Sequence, residues 1–409
     1  MIFLHTSDWH IGRALFGKRR YDEQEAFLDW LADTVDVEKA DALLVAGDIF
    51  DTGTPGSRAQ ELYYRFLVRL SASACRHVVI IGGNHDSPSF LDAPKPLLAA
   101  FGIHVVGAAS EDPAREVIEL KDAEGRTLAV VCAVPYLRER DLRTAEAGEG
   151  TADKDRKALE GIHAHYAAVF EEAVRRRDAA GGSVPLVAMG HLFAAGGEVS
   201  EGDGVRELYI GSLARVGTDL FPREVDYVAL GHLHVPQCLR GTEHMRYSGS
   251  PIPMGFGEAG QSKSIVRIRF DGRSPDITLL PVPSTRTLAR YEGTLEQVGI
   301  QMRTAGGNGR SIWAEVEYDG PESPAVVRDV LETMAEETGV EILRIRSRAL
   351  MARTLAAQAS EESLDDLSPS EVFDRCLLEH EVPPDWAEPL RDMFREVMRE
   401  LVERDPQDD

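Results

Sequence analysis

Five times in this chain a short β-branched or apolar run stops abruptly at small residues and side chains able to bind metal, and few folds accommodate that repetition. Ile2 to Leu4 lead into Asp8, Trp9 and His10; Ala42 to Ala46 into Gly47, Asp48, Ile49, Phe50 and Asp51; Val78 to Ile81 into Gly82, Gly83, Asn84, His85 and Asp86. Leu186 to Met189 lead into Gly190 and His191, and Tyr227 to Leu230 into Gly231, His232, Leu233 and His234. Amphipathic helical patterns at Tyr21 to Val37 and Ser57 to Leu70 separate the early runs. Strands alternating with helices predict an α/β layered domain, whose ligands bind beyond the carboxyl ends of the strands.

The remaining composition narrows the class. At 409 residues the chain is long enough for two to four domains, and 43% hydrophobic with 28% charged residues excludes wholesale disorder. Its 4 cysteines (Cys75, Cys132, Cys238, Cys376) form no CxxC pair, which argues against a disulfide framework or thiolate zinc site. No apolar run approaches the ~20 residues of a membrane span and the N-terminus lacks a cationic leader, so a cytoplasmic protein without a membrane anchor is expected. The net charge of −24 speaks at first against a polyanionic substrate. Residues 361 to 409, with seventeen acids and five bases, carry half of that excess.

Residues 1–280 read as one unit, and Pro281, Pro283 and Ser284 mark a hinge into a second. Alternation at Ile312, Ala314, Val316 and Tyr318, a helix from Ala325 to Thr338 stopped by Gly339, and a strand from Val340 to Ser347 predict a small α+β domain over 281–351. Residues 352–367, rich in Ala, Ser, Glu and Asp, read as an acidic linker. Over 368–404, Ser368, Pro369 and Glu371 cap a helix with Phe373, Cys376 and Leu377 inward, and a second helix places Trp386, Leu390, Met393, Phe394, Val397 and Leu401 on one stripe. That stripe exceeds what two short helices hide between themselves, so it either folds back on the core or docks a partner.

Metal sites for phosphate chemistry need hard oxygen donors, imidazoles and an anion able to bridge two cations. Asp8, His10, Asp48, Asn84, His191, His232 and His234 supply that set from the five strand ends. Asp8 and His10, two apart, would share a face on an extended segment. His163 and His165 stand on different faces of a predicted helix and are not expected to ligate together. Gly255 to Ser264 glances at a phosphate loop but has Gln261 where lysine is required, so no nucleotide-binding loop is present.

Taken in order, these blocks resemble the DxH, GDxxD, GNH(D/E), GH and GHxH pattern of the calcineurin-like dinuclear metallophosphoesterases. The resemblance implies a layered β-sandwich flanked by helices, a small capping domain, and a C-terminal helix-loop-helix. It implies two divalent metal ions, with Asp48 bridging, Asp8, His10 and His234 on one ion, and Asn84, His191 and His232 on the other. His85, beside a ligand but outside the set, is then the catalytic acid and phosphate contact. Asp51 reads equally as a site residue or a turn cap. Histidine and carboxylate suit manganese, iron or zinc, and the resemblance favours Mn2+.

The flanks HTSDWHIGR, GDIFDTGTPGSRA, GGNHDSP and YSGSPIPMGFGE resemble the bacterial recombination-nuclease members of that family. This implies hydrolysis of DNA, as a 3' to 5' exonuclease on double-strand ends and an endonuclease on single strands and hairpins, in recombination, repair and replication. A small-molecule phosphodiesterase is the alternative. The same resemblance implies a partner ATPase with a long coiled coil, docked by Trp386, Leu390 and Phe394, and a homodimer within a heterotetramer. Helices at Ser57 to Leu70 and Leu91 to Phe101, with Leu62, Tyr63, Phe66, Leu97, Leu98 and Phe101, are the expected dimer surface. For DNA, Arg13, Lys18, Arg19 and Arg20 are the nearest cations, and Arg344, Arg346 and Arg348 share one face of a strand.

Overall fold

The computed structural model describes residues 1–142, 151–194, 216–239, 241–305, 311–347, 373–374, 376–377 and 387–394. The chain divides into two compact units, one of Met1–Arg290, Ala305–Glu315 and Thr338–Arg344, the other of Tyr291–Thr304, Val316–Glu337 and Ile345–Asp409.

The first unit is built on two six-stranded sheets. One runs, edge to edge, Ser274–Pro281, Ser264–Asp271, Ile2–Thr6, Ala42–Ala46, His77–Ile81 and Ile103–Val106. The other runs Gln237–Leu239, Thr242–Tyr247, Tyr227–Gly231, Leu186–His191, Thr127–Ala133 and Val117–Lys121. The strands that precede the five motifs pair in parallel within their sheets, so their carboxyl ends point the same way. Parallel strands are uniformly apolar because both faces are covered. Ala42, Leu44 and Ala46 face Val131, Val187, Met189 and Ala229 of the other sheet, while Leu43 and Val45 turn outward to the helices.

Helical spacing decides which residues cover the first sheet. Tyr21–Glu38 buries Gln24, Phe27, Leu28, Leu31, Ala32 and Val35, three and four apart, and ends with Lys39 in the left-handed conformation. Ser57–Ser71 buries Ala59, Leu62, Tyr63, Phe66, Leu67 and Leu70 in the same rhythm. The expected dimer surface is therefore corrected: Leu62, Tyr63, Phe66 and Leu98 are core residues, needed to cover the sheet. Leu91 to Phe101 is two short helices, Pro88–Asp92 and Lys95–Ala99, and only Leu97 and Phe101 of the expected set stay exposed. The second sheet is covered by the helix Thr151–Ala179 through Ile162, Tyr166, Val169, Phe170 and Ala173.

A three-stranded sheet comprises Arg286–Gly293, Ser311–Tyr318 and Val340–Ser347. The helix Pro324–Thr338 is stopped at Gly339, whose φ of +69° suits glycine. In the second unit Val298 and Met302 of one helix and Val327 and Leu331 of the other are buried. No helix among the described residues is long and apolar enough to cross a membrane.

Buried between the two sheets of the first unit is a polar pair, His5 Nδ1 and the Tyr227 hydroxyl at 2.9 Å. Burial, assisted by the charge of Arg246, pushes the His5 pKa down from 6.5 to about 3. The folded state thus holds neutral His5, a contribution fully present above pH 6.5 and lost as pH falls from there toward about 3. His5→Gln is expected to flatten the acid-side fall of the urea midpoint by about one proton's worth of slope. An unchanged slope would show that His5 is not held neutral.

Candidate metal centre

The five motif loops converge beyond the strand ends, and their backbone is wound tightly to do so. Among the described residues, six other than glycine have positive φ, and four of these are Asp8 (54°), His10 (45°), Asp48 (52°) and His232 (103°). Such strain concentrates where surrounding structure holds it for function. Asp8 and His10 are therefore not on an extended segment. Instead Trp9, between them, drops into the core against Phe27 and Phe66, while its Nε1 donates to Thr6 Oγ1 at 3.0 Å.

All seven expected ligands meet. His10 Nε2 faces His234 Nε2 at 3.2 Å and Asp48 Oδ2 at 3.5 Å. His191 Nε2 lies 3.4 Å from Asp48 Oδ2. Asn84 Oδ1 is 3.0 Å from both His191 Nε2 and His232 Nδ1. Asp8 accepts the His232 N–H at 3.0 Å. Asp8, His10 and His234 form one cluster with metal-ligand spacing, and Asp8, Asp48 and His191 another. Glycine is required at two close approaches: a Cβ on Gly47 would stand 2.3 Å from His191 Nδ1, and one on Gly83 2.1 Å from Asp48 Oδ1.

The electrostatics suit divalent cations. Asp8 and Asp48 are buried, and among the described residues neither has a lysine or arginine partner. Buried carboxylates need compensation, and mixed carboxylate and imidazole donors are those of transition-metal sites. Burial pushes His10 down to about 4 and His232 to about 3, keeping both neutral, the form in which an imidazole can bind a metal. Burial also opposes charging of His191, but the adjacent Asp48 carboxylate outweighs it and raises that pKa to about 9. Since a carbonyl only accepts, His191 Nδ1–H donates to the Ala46 carbonyl at 2.8 Å, leaving Nε2 for coordination.

His85 stands beside this set. Its backbone N–H donates to Asp48 Oδ1 at 2.9 Å, its Nδ1–H donates to the Asp51 carbonyl at 2.9 Å, and its ring is edge-on to His10 at 4.8 Å. The Asp51 carboxylate is 3.5 Å from His10 Nδ1 and 3.4 Å from Arg13 Nη1, so it links an imidazole of the site to a cation rather than serving only as a turn cap.

Sequence reasoning assigned no role to three other groups. Asp86 accepts backbone N–H groups of Ile49, Phe50 and Gly83 at 2.8 to 3.1 Å, lacing two motif loops together. Glu258, wholly buried, has Oε1 3.7 Å from His234 Nδ1, and Lys263 bonds both Glu258 and the His234 carbonyl. The last pair lies in the stretch Gly255 to Ser264, which the sequence alone marks only as lacking the lysine of a phosphate loop.

The expected DNA contacts divide. Arg20 is corrected: it is buried, chelates Glu23 at 2.9 and 2.7 Å and donates to the Pro253 carbonyl at 2.6 Å, because the chain turns inward at the start of a helix. Lys18 pairs with Glu341, Arg13 with Asp51, and Arg19 is exposed. Arg344 is 3.4 Å from Glu315, which also holds Arg290, and Arg348 lies outside the described residues. His165 bonds Glu116 at 2.8 Å, without joining His163 in a site. Of the expected partner contacts, Trp386 lies outside the described residues, Leu390 is half-buried, and Phe394 is corrected from a free anchor: it stacks on Phe373 at 4.2 Å.

Residues 1–236 match the model of the calcineurin-like phosphoesterases, and residues 284–381 that of the type 5 capsule protein repressor C-terminal domain. Sandwich, strand-end site and match together define a hydrolase of phosphoester bonds of the calcineurin-like class. The chain is 36% identical to SbcD, the nuclease component of SbcCD, from Escherichia coli, over 98% of its own length and 99% of that protein's. It is 39% identical to the Rhodobacter capsulatus SbcD, covering 72% of this chain and 73% of that one, and 37% identical to that of Bacillus subtilis, covering 65% of each. The chain belongs to the SbcD family of nucleases.

Because a Cβ on Gly83 would also meet the Asp48 backbone nitrogen at 2.3 Å, the loop cannot simply rotate aside. Gly83→Ala is expected to weaken divalent-metal binding by about ten- to a hundredfold. Gly53→Ala, whose Cβ would meet nothing closer than 3.8 Å, should bind as wild type. Calorimetric titration with Mn2+ separates the two.

Proposed function

We propose that the chain is the nuclease component of an SbcCD-type complex and hydrolyses DNA phosphodiesters, 3' to 5' from double-strand ends and internally on single strands and hairpins. The observation that carries this reading is the convergence of Asp8, His10, Asp48, Asn84, His191, His232 and His234 in a chain matching SbcD nucleases end to end. Asp48 would hold both cations, Asp8, His10 and His234 the first, and Asn84, His191 and His232 the second, with Mn2+ as the metal. Bound there, the cations would neutralise phosphate charge and acidify water. His85 serves as proton donor to the leaving oxygen: the Asp51 carbonyl engages Nδ1–H and fixes the ring, which leaves Nε2 to carry the proton to the substrate.

His85→Ala is expected to cut turnover on linear duplex by about a hundredfold or more while two metal ions stay bound. Asp48→Ala loses metal and activity together. Equal metal depletion in both would refute the role given to His85, and a wild type inert toward duplex and hairpin DNA with Mn2+ would refute the nuclease reading.

In the same reading, 1–280 is the nuclease domain, 281–351 the capping domain, 352–367 a linker, and 368–404 the segment that docks an SbcC-type coiled-coil ATPase in the cytoplasm. The absence of a nucleotide-binding loop supports a separate ATPase chain. The exposed Leu97 and Phe101 support a homodimer within a heterotetramer. Deleting 361–409 is expected to abolish ATP-stimulated exonuclease activity and leave Mn2+-dependent cleavage of single strands intact. Unchanged ATPase affinity in calorimetry would move the docking site elsewhere.

A further inference from the structure

Arg138 lies beyond the strand Thr127–Ala133, with Asp86, the neighbour of His85, on one side and Tyr136 on the other. Its Nη2 donates at 2.8 Å to the carbonyl of Asp86, next to His85. Its guanidinium carbon is 5.9 Å from the ring of Tyr136, and that ring is edge-on to His191 at 6.2 Å. The other terminal nitrogen, Nη1, is buried and has no hydrogen-bond partner.

Buried arginine nitrogens without a partner also occur on Arg177, Arg246, Arg267 and Arg286. Each of those guanidiniums has a carboxylate close by: Asp178 at 3.8 Å, Glu243 at 2.8 Å, Glu38 at 2.9 Å, and Asp22 with Glu23 at 3.0 and 3.2 Å. Among the described residues no carboxylate is ion-paired to the Arg138 guanidinium, and the Asp141 carboxylate is engaged instead by the Arg138 backbone N–H at 2.9 Å. A half-buried cation left uncompensated is costly, and an orphaned buried donor calls for an acceptor that arrives from outside. Nor is Arg138 loosely held, since the Asp86 side chain is fixed by three backbone N–H groups of the motif loops.

We propose that Arg138 is a substrate-binding residue, donating Nη1–H to a non-bridging oxygen of a DNA phosphate at or next to the bond that is cut, while the Nη2 bond to Asp86 fixes the guanidinium plane. Arginine suits this task because its planar fork serves a carbonyl and a phosphate at once and it remains charged when half-buried. The inference rests on the nuclease reading for the identity of the phosphate.

Arg138→Gln keeps an amide donor for the Asp86 carbonyl but removes the charge, and Arg138→Lys keeps the charge. Both variants are compared with wild type as full-length, Mn2+-loaded protein for bound metal, melting temperature, calorimetric affinity for inorganic phosphate, and KM on linear duplex as a function of salt. For Arg138→Gln, phosphate binding weakens and KM rises about tenfold or more, with the slope of log KM against log salt smaller by about 1 and metal content unchanged. Arg138→Lys recovers most of both. Wild-type phosphate affinity in Arg138→Gln overturns the assignment, as does equal impairment of both variants with lowered melting temperature, which would make Arg138 a loop support. If wild type binds phosphate through Arg138 yet leaves duplex uncut, the nuclease reading fails and the phosphate site stands.

Discussion

Two carboxylates, Asp8 and Asp48, sit in the interior at the carboxyl ends of two neighbouring strands with no lysine or arginine to neutralise them among the described residues. Imidazoles and one amide surround them, held by backbone that four residues complete in the left-handed region. Such a concentration of buried charge is unfavourable without a counter-ion, and divalent cations supply one. Much of the neighbouring structure serves to keep these groups together.

That support comes in layers. Packing between the sheets fixes the strand ends relative to one another, through Ala46, Met189 and Ala229 in one cluster. Trp9 anchors the first motif loop from below, and Asp86 ties the second to the third through three backbone bonds. Glu258 and Lys263 brace His234 from behind, as outer partners of metal ligands commonly do. Each device fixes a side chain that is far from its neighbours in sequence.

The layered fold and the side chains that converge at the strand ends were legible because both leave local marks. Uniformly apolar runs identify strands covered on both faces, and aspartate, asparagine and histidine at their ends identify one rim. Orientation was not legible. Spacing alone put Asp8 and His10 on an extended face, whereas positive φ at both directs them differently. Apolar residues of Ser57–Ser71 read as surplus, yet Tyr63 and Phe66 are needed against Phe50 and Trp9. Arg20 read as a free cation because spacing does not reveal that the chain turns inward there and Glu23 chelates it in the interior. The roles of Asp86, Glu258, Lys263 and Arg138 depend on contacts that periodicity does not encode.

The central claim is that one buried carboxylate, Asp48, joins two metal ions in a single site. Electron paramagnetic resonance of the Mn2+-titrated protein tests it most directly. The account predicts two ions bound per chain and an exchange-coupled spectrum of a bridged pair, because cations sharing a carboxylate lie ~3.5 to 4 Å apart. A plain six-line spectrum of isolated ions at saturation, with one ion per chain, would contradict it.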